Sequence, residues 1–303
     1  MARSVLVLAA SAHVLPLASC GGHDTTRIPV IAYHGVTRDS EVVEGAADIR
    51  FFDVRLPEFE AQVAYLHDAG FQTITPSQYK KWVYGEDVSL PAKPILITFD
   101  DGRTSAQLAT PVLEHYRFVA VMYVASGFAA GDFGGPNGEP GWYLTWQQLE
   151  EMRAGGHWIM QFHAGPMGHA YIDDPAFSTC HRYYPCRYGQ DDATYEARVK
   201  SDVAQGLGAM RSIFDLPDHW HGSTFAVPWD DAGSSETAGS WVSAYLADQF
   251  PVVFVQDSYT GDVDNQRYRF EIHNPFDLDR FESGLESPNF ARPDPHSFSA
   301  AGF

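Results

Sequence analysis

Positive charge is scarce in this chain. Of its 303 residues only 20 are Lys or Arg, against 39 Asp or Glu, a formal net charge of −19. Nucleic acid and anionic lipid headgroups are bound by neutralising their phosphates, so a deficit of that size argues against both as partners. Neutral and cationic substrates stay open. Cysteine is scarce as well, with three in all, Cys20, Cys180 and Cys186. The first twenty residues, MARSVLVLAASAHVLPLASC, form an apolar run that is too short, and too interrupted by His13 and Pro16, to be a comfortable membrane span. No internal repeat and no linker is visible between residues 28 and 285, so that stretch reads as one catalytic domain. What the chain has in quantity is core material: 45% of its residues are hydrophobic and 14% aromatic.

One cation, Arg3, followed by an apolar core reads as a signal peptide over residues 1–20. It ends in Leu17-Ala18-Ser19-Cys20, which resembles the lipobox of bacterial lipoproteins, and that resemblance implies acylation of Cys20. The expected location is then the cell envelope, exported and lipid-anchored, with residues 21–27 as a tether. Gly21 is not the Asp of an inner-membrane retention signal. With Cys20 removed, Cys180 and Cys186 are an even remainder. In an exported protein that suggests a disulfide, worth about 2–3 kcal/mol for so short a loop. A metal pair with His181 is the alternative.

Apolar strands and helical patterns alternate along the chain. IPVIAYHGV (28–36), FQTIT, PILITF, FVAVMYVAS, HWIMQFHAG, STFAVP and PVVFVQD read as strands. LPEFEAQVAYLHDAG, PSQYKKWVYG, TSAQLATPVLEHY, TWQQLEEMRAGG and a long segment from Thr194 read as helices, with Thr145 as an N-cap and Pro111 as a cost inside its helix. Such alternation predicts parallel strands with crossover helices, a barrel or an open sheet. The tail from 286 to 303 is rich in Pro and Ser and is expected to pack loosely.

In such folds sites gather at the C-terminal ends of strands. The polar residues expected there are His34, Asp100, Asp101, His163 and His169. Two histidines and a carboxylate make a facial metal site with open positions. In ILITFDDG, Gly102 permits a sharp turn after the strand. One of the adjacent aspartates can then be a ligand and the other a general base, with a cation between them relieving their repulsion.

TFDDG after an apolar strand resembles the first motif of the NodB-homology polysaccharide deacetylases, carbohydrate esterase family 4. The resemblance implies a distorted (β/α) barrel with Asp100 as the base and Asp101 as a metal ligand beside His163 and His169. It also implies a divalent ion, Zn²⁺ with Ni²⁺ or Co²⁺ as alternatives. IPVIAYHGV resembles the first strand of the branch that deacetylates poly-N-acetylglucosamine, which implies that His34 is the general acid. YLTWQQLEEMRAGGHWI resembles the helix leading to the family's histidine motif. Implied too are an N-acetylglucosamine-containing polysaccharide as substrate and acetate as product. The rival reading is a non-catalytic, surface-anchored carbohydrate binder derived from a deacetylase.

Two departures stand out. The family's histidines usually lie four or five positions apart, whereas His163 and His169 in HAGPMGH lie six apart, with Ala164 in place of a hydroxyl. Gly165, Pro166 and Gly168 could fold the excess into a tight loop. In FAVPWDDAG, many family members carry an Arg two residues before the proline, and here it is Ala226. The same match implies that the backbone N–H of Trp229 helps hold the oxyanion, while Asp230 and Asp231 read as solvated loop carboxylates. His157 reads as structural, His219 and His221 are read as outside the metal site, and His273 is the second choice for the acid. Trp142, Tyr143, Tyr183, Tyr184 and Trp229 are candidates for stacking on sugar rings.

Overall fold

The computed structural model describes residues 25–38, 52–135, 138–170, 183–230, 241–256, 266–272 and 278–293. The run expected as one strand is two, β1 (Val30–Tyr33) and β2 (Gly35–Thr37), with His34 at the break. β3 (Asp53–Arg55) precedes α1 (Leu56–Asp68). β4 (Gln72–Thr73) leads into α2 (Pro76–Val83), started by a capping box between Thr75 and Gln78. β5 (Pro94–Phe99) is the buried strand before the two aspartates. The helix expected next is broken: a 3₁₀ turn, Thr104–Ala109, passes into α3 (Thr110–Tyr116). The break puts Pro111 in the first turn of α3, where a missing N–H is harmless.

β6 (Ala120–Ala125) and α4 (Ser126–Ala130) follow. α5 (Trp146–Ala154) is capped by Thr145, which forms a capping box with Gln148. β7 (Trp158–Ala164), α6 (Asp192–Ile213), β8 (Phe225–Ala226) and α7 (Trp241–Gln249) come next. β9 (Val253–Val255), β10 (Gln266–Tyr268), β11 (Phe270–Glu271) and α8 (Leu278–Leu285) complete the series.

Every ladder among these strands is parallel. One sheet runs β11-β1-β5-β6-β7 and a second runs β10-β9-β8. Only Arg269 separates β10 from β11, so one segment ends the second sheet and begins the first. The strands therefore run nearly round a ring. The seam lies between β7 and β8, where no ladder forms among the described residues and side chains take its place. Gln161 Oε1 accepts the backbone N–H groups of Ser223 (2.9 Å) and Thr224 (3.2 Å). His163 Nδ1 donates to the Ala226 carbonyl (2.8 Å). This is an α/β fold of the distorted (β/α) barrel kind.

Strand alternation sorts the apolar residues into two cores. Val30, Leu96, Val121, Tyr123, Ala226 and Phe254 fill the barrel, and Tyr79 and Trp82 of α2 join them. Ile31, Tyr33, Ile97, Phe99 and Met122 form the other core, under the helices with Phe59, Leu149 and Val203. The same alternation sends Thr98 and Asp100 of the β5 segment to the side of Leu96, the inside.

The ends of the domain depart from expectation. Trp82 Nε1 donates to the Thr25 carbonyl, so the last residues of the supposed tether are docked. Residues 286–293 are not loose: Phe290 is buried against Tyr268, Ile28 N–H donates to its carbonyl, and Arg292 N–H donates to Thr26. One aromatic side chain filling the barrel's end outweighs the Pro- and Ser-rich composition around it. No helix among the described residues is long and apolar enough to cross a membrane.

Candidate active site

Parallel pairing in register, Tyr33 opposite Phe99, brings the ends of β1 and β5 together, and Asp100 N–H donates to the Tyr33 carbonyl. His34 and Asp100 thus lie beside each other at the mouth of the barrel. The chain then turns sharply, with φ of 72° at Asp101 and 78° at Gly102. A left-handed Asp is uncommon. Here the turn keeps two consecutive carboxylates at one site although strand neighbours normally diverge.

The histidines come from β7 and the loop after it. In the β6–β7 ladder Val124 pairs with Phe162 and Ala125 with Ala164, so His163 is the extra residue of a bulge. Bulges re-aim side chains at functional sites. Phe162 stacks with Phe225 and Phe250, while His163 reaches Asp101.

Asp101 Oδ1 lies 3.0 Å from His169 Nε2 and 3.5 Å from His163 Nε2. It is buried and makes no well-directed hydrogen bond to either. Because His163 Nδ1 is the donor to Ala226, its Nε2 presents a lone pair when the ring is neutral. One ligand atom from each of the three residues falls within 4.8 Å of the others, the one such cluster among the described residues. Two imidazole nitrogens converging on a buried carboxylate oxygen fit a divalent cation. The six-residue spacing thus still brings the two imidazoles together.

Each aspartate has its own arginine. Arg103 Nε and one terminal nitrogen each donate to Asp101 Oδ2 at 3.2 Å, and its other terminal nitrogen donates to Asp53 Oδ1 at 2.9 Å. That arrangement leaves Oδ1 for the cluster. Arg269 grips Asp100 with both terminal nitrogens, one of them 2.6 Å from Oδ1. Burial pushes both carboxyls up, yet the groups facing them win. Arg269 holds Asp100 below the ordinary carboxylate range, and His169, His163 and Arg103 hold Asp101 well below it. For Asp53 burial wins over Arg103, and its pKa is raised. Asp53, Arg103 and Arg269 escaped the sequence reading. Arg103 follows the DDG triplet directly, and Arg269, in the segment QRYRFE, sits in no motif.

His34 Nδ1 lies 3.6 Å from Glu271 Oε1. Burial pushes its pKa down to about 4, with Asp101 opposing. The resting imidazole is therefore neutral at pH 7, contrary to a standing imidazolium acid. Trp229, with φ of 61°, packs on His169 at 4.8 Å and is 39% exposed, the natural rim aromatic. Of the other aromatic candidates, Trp142, Tyr143 and Tyr183 are half-buried. Tyr143 stacks on Phe128 at 3.8 Å, Tyr183 lies under Arg198, and Tyr184 is buried. Asp230 is not simply solvated, since it accepts the Gln256 N–H and ties β8 to β9. His157 donates to the Phe118 carbonyl, a structural role. His219 and His221 line a cleft with Lys80 and Pro251, apart from the cluster. Cys186 is buried and disulfide-bonded. Cys20, Cys180, His181, Asp231 and His273 lie outside the described residues.

The fold is shared with solved deacetylases. A solved de-N-acetylase from Aggregatibacter actinomycetemcomitans superposes over 85% of this chain and 99% of its own, with a TM-score of 0.67 at 18% identity. Residues 87–227 match the polysaccharide deacetylase family model. The chain is 32% identical to YxkH of Bacillus subtilis (strain 168) over 133 residues, 43% of this chain and 40% of that protein. It is 25% identical to the poly-beta-1,6-N-acetyl-D-glucosamine N-deacetylase of Escherichia coli (strain K12) over 210 residues, 63% of this chain and 30% of that one. The chain is thus similar to polysaccharide deacetylases over residues 87–227, and it spans less than half the length of these curated relatives.

Proposed function

We propose that this protein hydrolyses the acetamide groups of an N-acetylglucosamine-containing polysaccharide, releasing acetate and leaving free amines on the polymer. The observation that carries the reading is Asp101 Oδ1, buried and facing two imidazole nitrogens, beside a second aspartate held ionised by arginine. Asp101, His163 and His169 would hold a divalent ion, Zn²⁺ by donor set, with Ni²⁺ and Co²⁺ close behind. Such an ion supplies a water of lowered pKa and polarises the acyl oxygen.

The chain's own residues do the rest. Asp100, ionised at neutral pH through Arg269, takes the proton of the attacking water. The Trp229 N–H is the backbone donor proposed for the oxyanion. His34 passes a proton to the leaving amine. As its resting ring is neutral, that proton is acquired within the catalytic cycle. Trp229, exposed at the rim, offers a face for a sugar ring. The similarity to the E. coli enzyme supports poly-β-1,6-N-acetylglucosamine as the polymer. It also supports an envelope location; the lipobox-like Leu17–Cys20 is the ground for Cys20 as the lipid attachment point, and the disulfide at Cys186 together with the cysteine count is the ground for Cys180 as its partner.

The test is acetate release from N-acetylglucosamine oligomers, with and without chelator. Release that chelation abolishes and Zn²⁺ restores is expected. Oligomer binding without any release would favour the carbohydrate-binder reading.

A further inference from the structure

The two imidazoles of the cluster are held in different ways. His163 is oriented through its ring, by the bond to Ala226. His169 Nδ1 is buried and has no partner among the described residues. Its ring packs against Phe128 at 5.1 Å and Trp229 at 4.8 Å, contacts without directional force. The position of His169 must therefore be set largely by the backbone that carries it, the long turn from His163.

That turn is pinned from α6. Asp202, only 3% exposed, accepts the Met167 N–H at 2.7 Å through Oδ1 and the Tyr184 hydroxyl at 2.9 Å through Oδ2. The Tyr184 oxygen in turn accepts the Gly165 N–H at 3.1 Å. Two backbone donors of the turn, Gly165 and Met167, thus converge on one Asp–Tyr pair. Tyr184 is itself fixed, because Tyr195 of α6 donates to its carbonyl at 2.8 Å.

Glycines make the approach close enough. A Cβ on Gly165 would sit 2.0 Å from the Asp202 carbonyl oxygen, and one on Gly168 would sit 2.4 Å from the Tyr184 hydroxyl. On the other side, a Cβ on Gly127 of α4 would meet the Pro166 carbonyl oxygen at 2.0 Å. The turn is clamped between two helices, and nothing in the acetamide chemistry uses Asp202 or Tyr184.

We propose that Asp202, acting with Tyr184, is a positioning residue that holds the His163–His169 turn so that His169 completes the cluster, and so sets its affinity for a divalent ion. This rests on the metal-site reading above. It also explains how a six-residue spacing keeps a working geometry: the excess backbone is folded onto a buried carboxylate.

The test measures Zn²⁺ affinity of the full chain by chelator competition, together with the visible absorption spectrum of the Co²⁺-loaded protein. Asp202→Ala should weaken Zn²⁺ binding by about 10–100-fold, the usual effect of losing an outer-shell partner, and should change the Co²⁺ spectrum. Tyr184→Phe should move both in the same direction by less. Asp202→Asn, whose Oδ1 still accepts the Met167 N–H, should recover part of the affinity. Met210→Ala, in the core face of α6, should lower Tm without changing affinity or spectrum, which separates positioning from general stability. If Asp202→Ala does not fold, Tyr184→Phe and Asp202→Asn decide the matter. Wild-type affinity and spectrum in both would overturn the proposal. If Asp101→Asn binds Zn²⁺ as tightly as the wild type, the metal-site reading itself falls.

Discussion

Arg269 holds Asp100 through both carboxylate oxygens, from a segment 169 residues away in sequence. The pair is fully buried. Breaking such a pair from one side leaves an uncompensated charge, at a cost of about 3–5 kcal/mol. In the wild type the Asp100 pKa lies below its unfolded value, so the pair's contribution is present above about pH 4. It is lost as the pH falls through the folded pKa. Arg269→Met reverses this, since a lone buried carboxyl is raised and the penalty grows as the pH climbs above about 4. Urea unfolding of both proteins across this range should show a stability gap that is small in acid and wide at neutrality. A gap independent of pH would contradict the assignment.

Neighbouring aspartates should fail differently. Asp101→Asn removes the charge facing both imidazoles, so bound metal and acetate release should fall together and recover partly with excess metal. Asp100→Asn keeps the shape and the cluster, so metal should stay while hydrolysis stops, with no rescue by metal. Elemental analysis and acetate assays on the same preparations check this. Equal metal loss in both variants would make both carboxylates ligands.

His34 gives two separate signals. His34→Gln should lower turnover by about 10²–10⁴, the range for one general acid, with metal content unchanged. Its depressed pKa, about 4, also means that the unfolded chain binds the proton more tightly than the native one. Stability therefore falls as the pH drops from about 6.5 toward 4, and His34→Gln should flatten that part of the profile. Full turnover in the variant, with loss in His273→Ala, would transfer the acid role to His273.

Cys20→Ala should shift the protein from the membrane fraction to the soluble exported fraction, or leave the precursor uncleaved. Cell fractionation followed by immunoblotting reads this directly, and an unchanged membrane fraction would remove the lipid anchor.

Much of this molecule was legible in its sequence because strand and helix periodicities are local. PILITF coincides with β5, the Thr145 cap forms as its side chain dictates, and DDG announces a turn that only a left-handed Asp and a Gly can make. Parallel strands place their polar termini at one end, so His34, Asp100, Asp101 and the histidine segment were recognisable as one site from order alone. Tertiary structure decided the rest. A bulge is a mismatch between two strands, so whether His163 or Phe162 faces the site could be read only once β7 was paired with β6. The arginines on the two aspartates, Asp53 behind one of them, and Asp202 beneath the histidine turn act through space across long separations in the chain. No local pattern marks such partners, because burial creates the need to pair a charge and only the folded chain determines which residues are buried together.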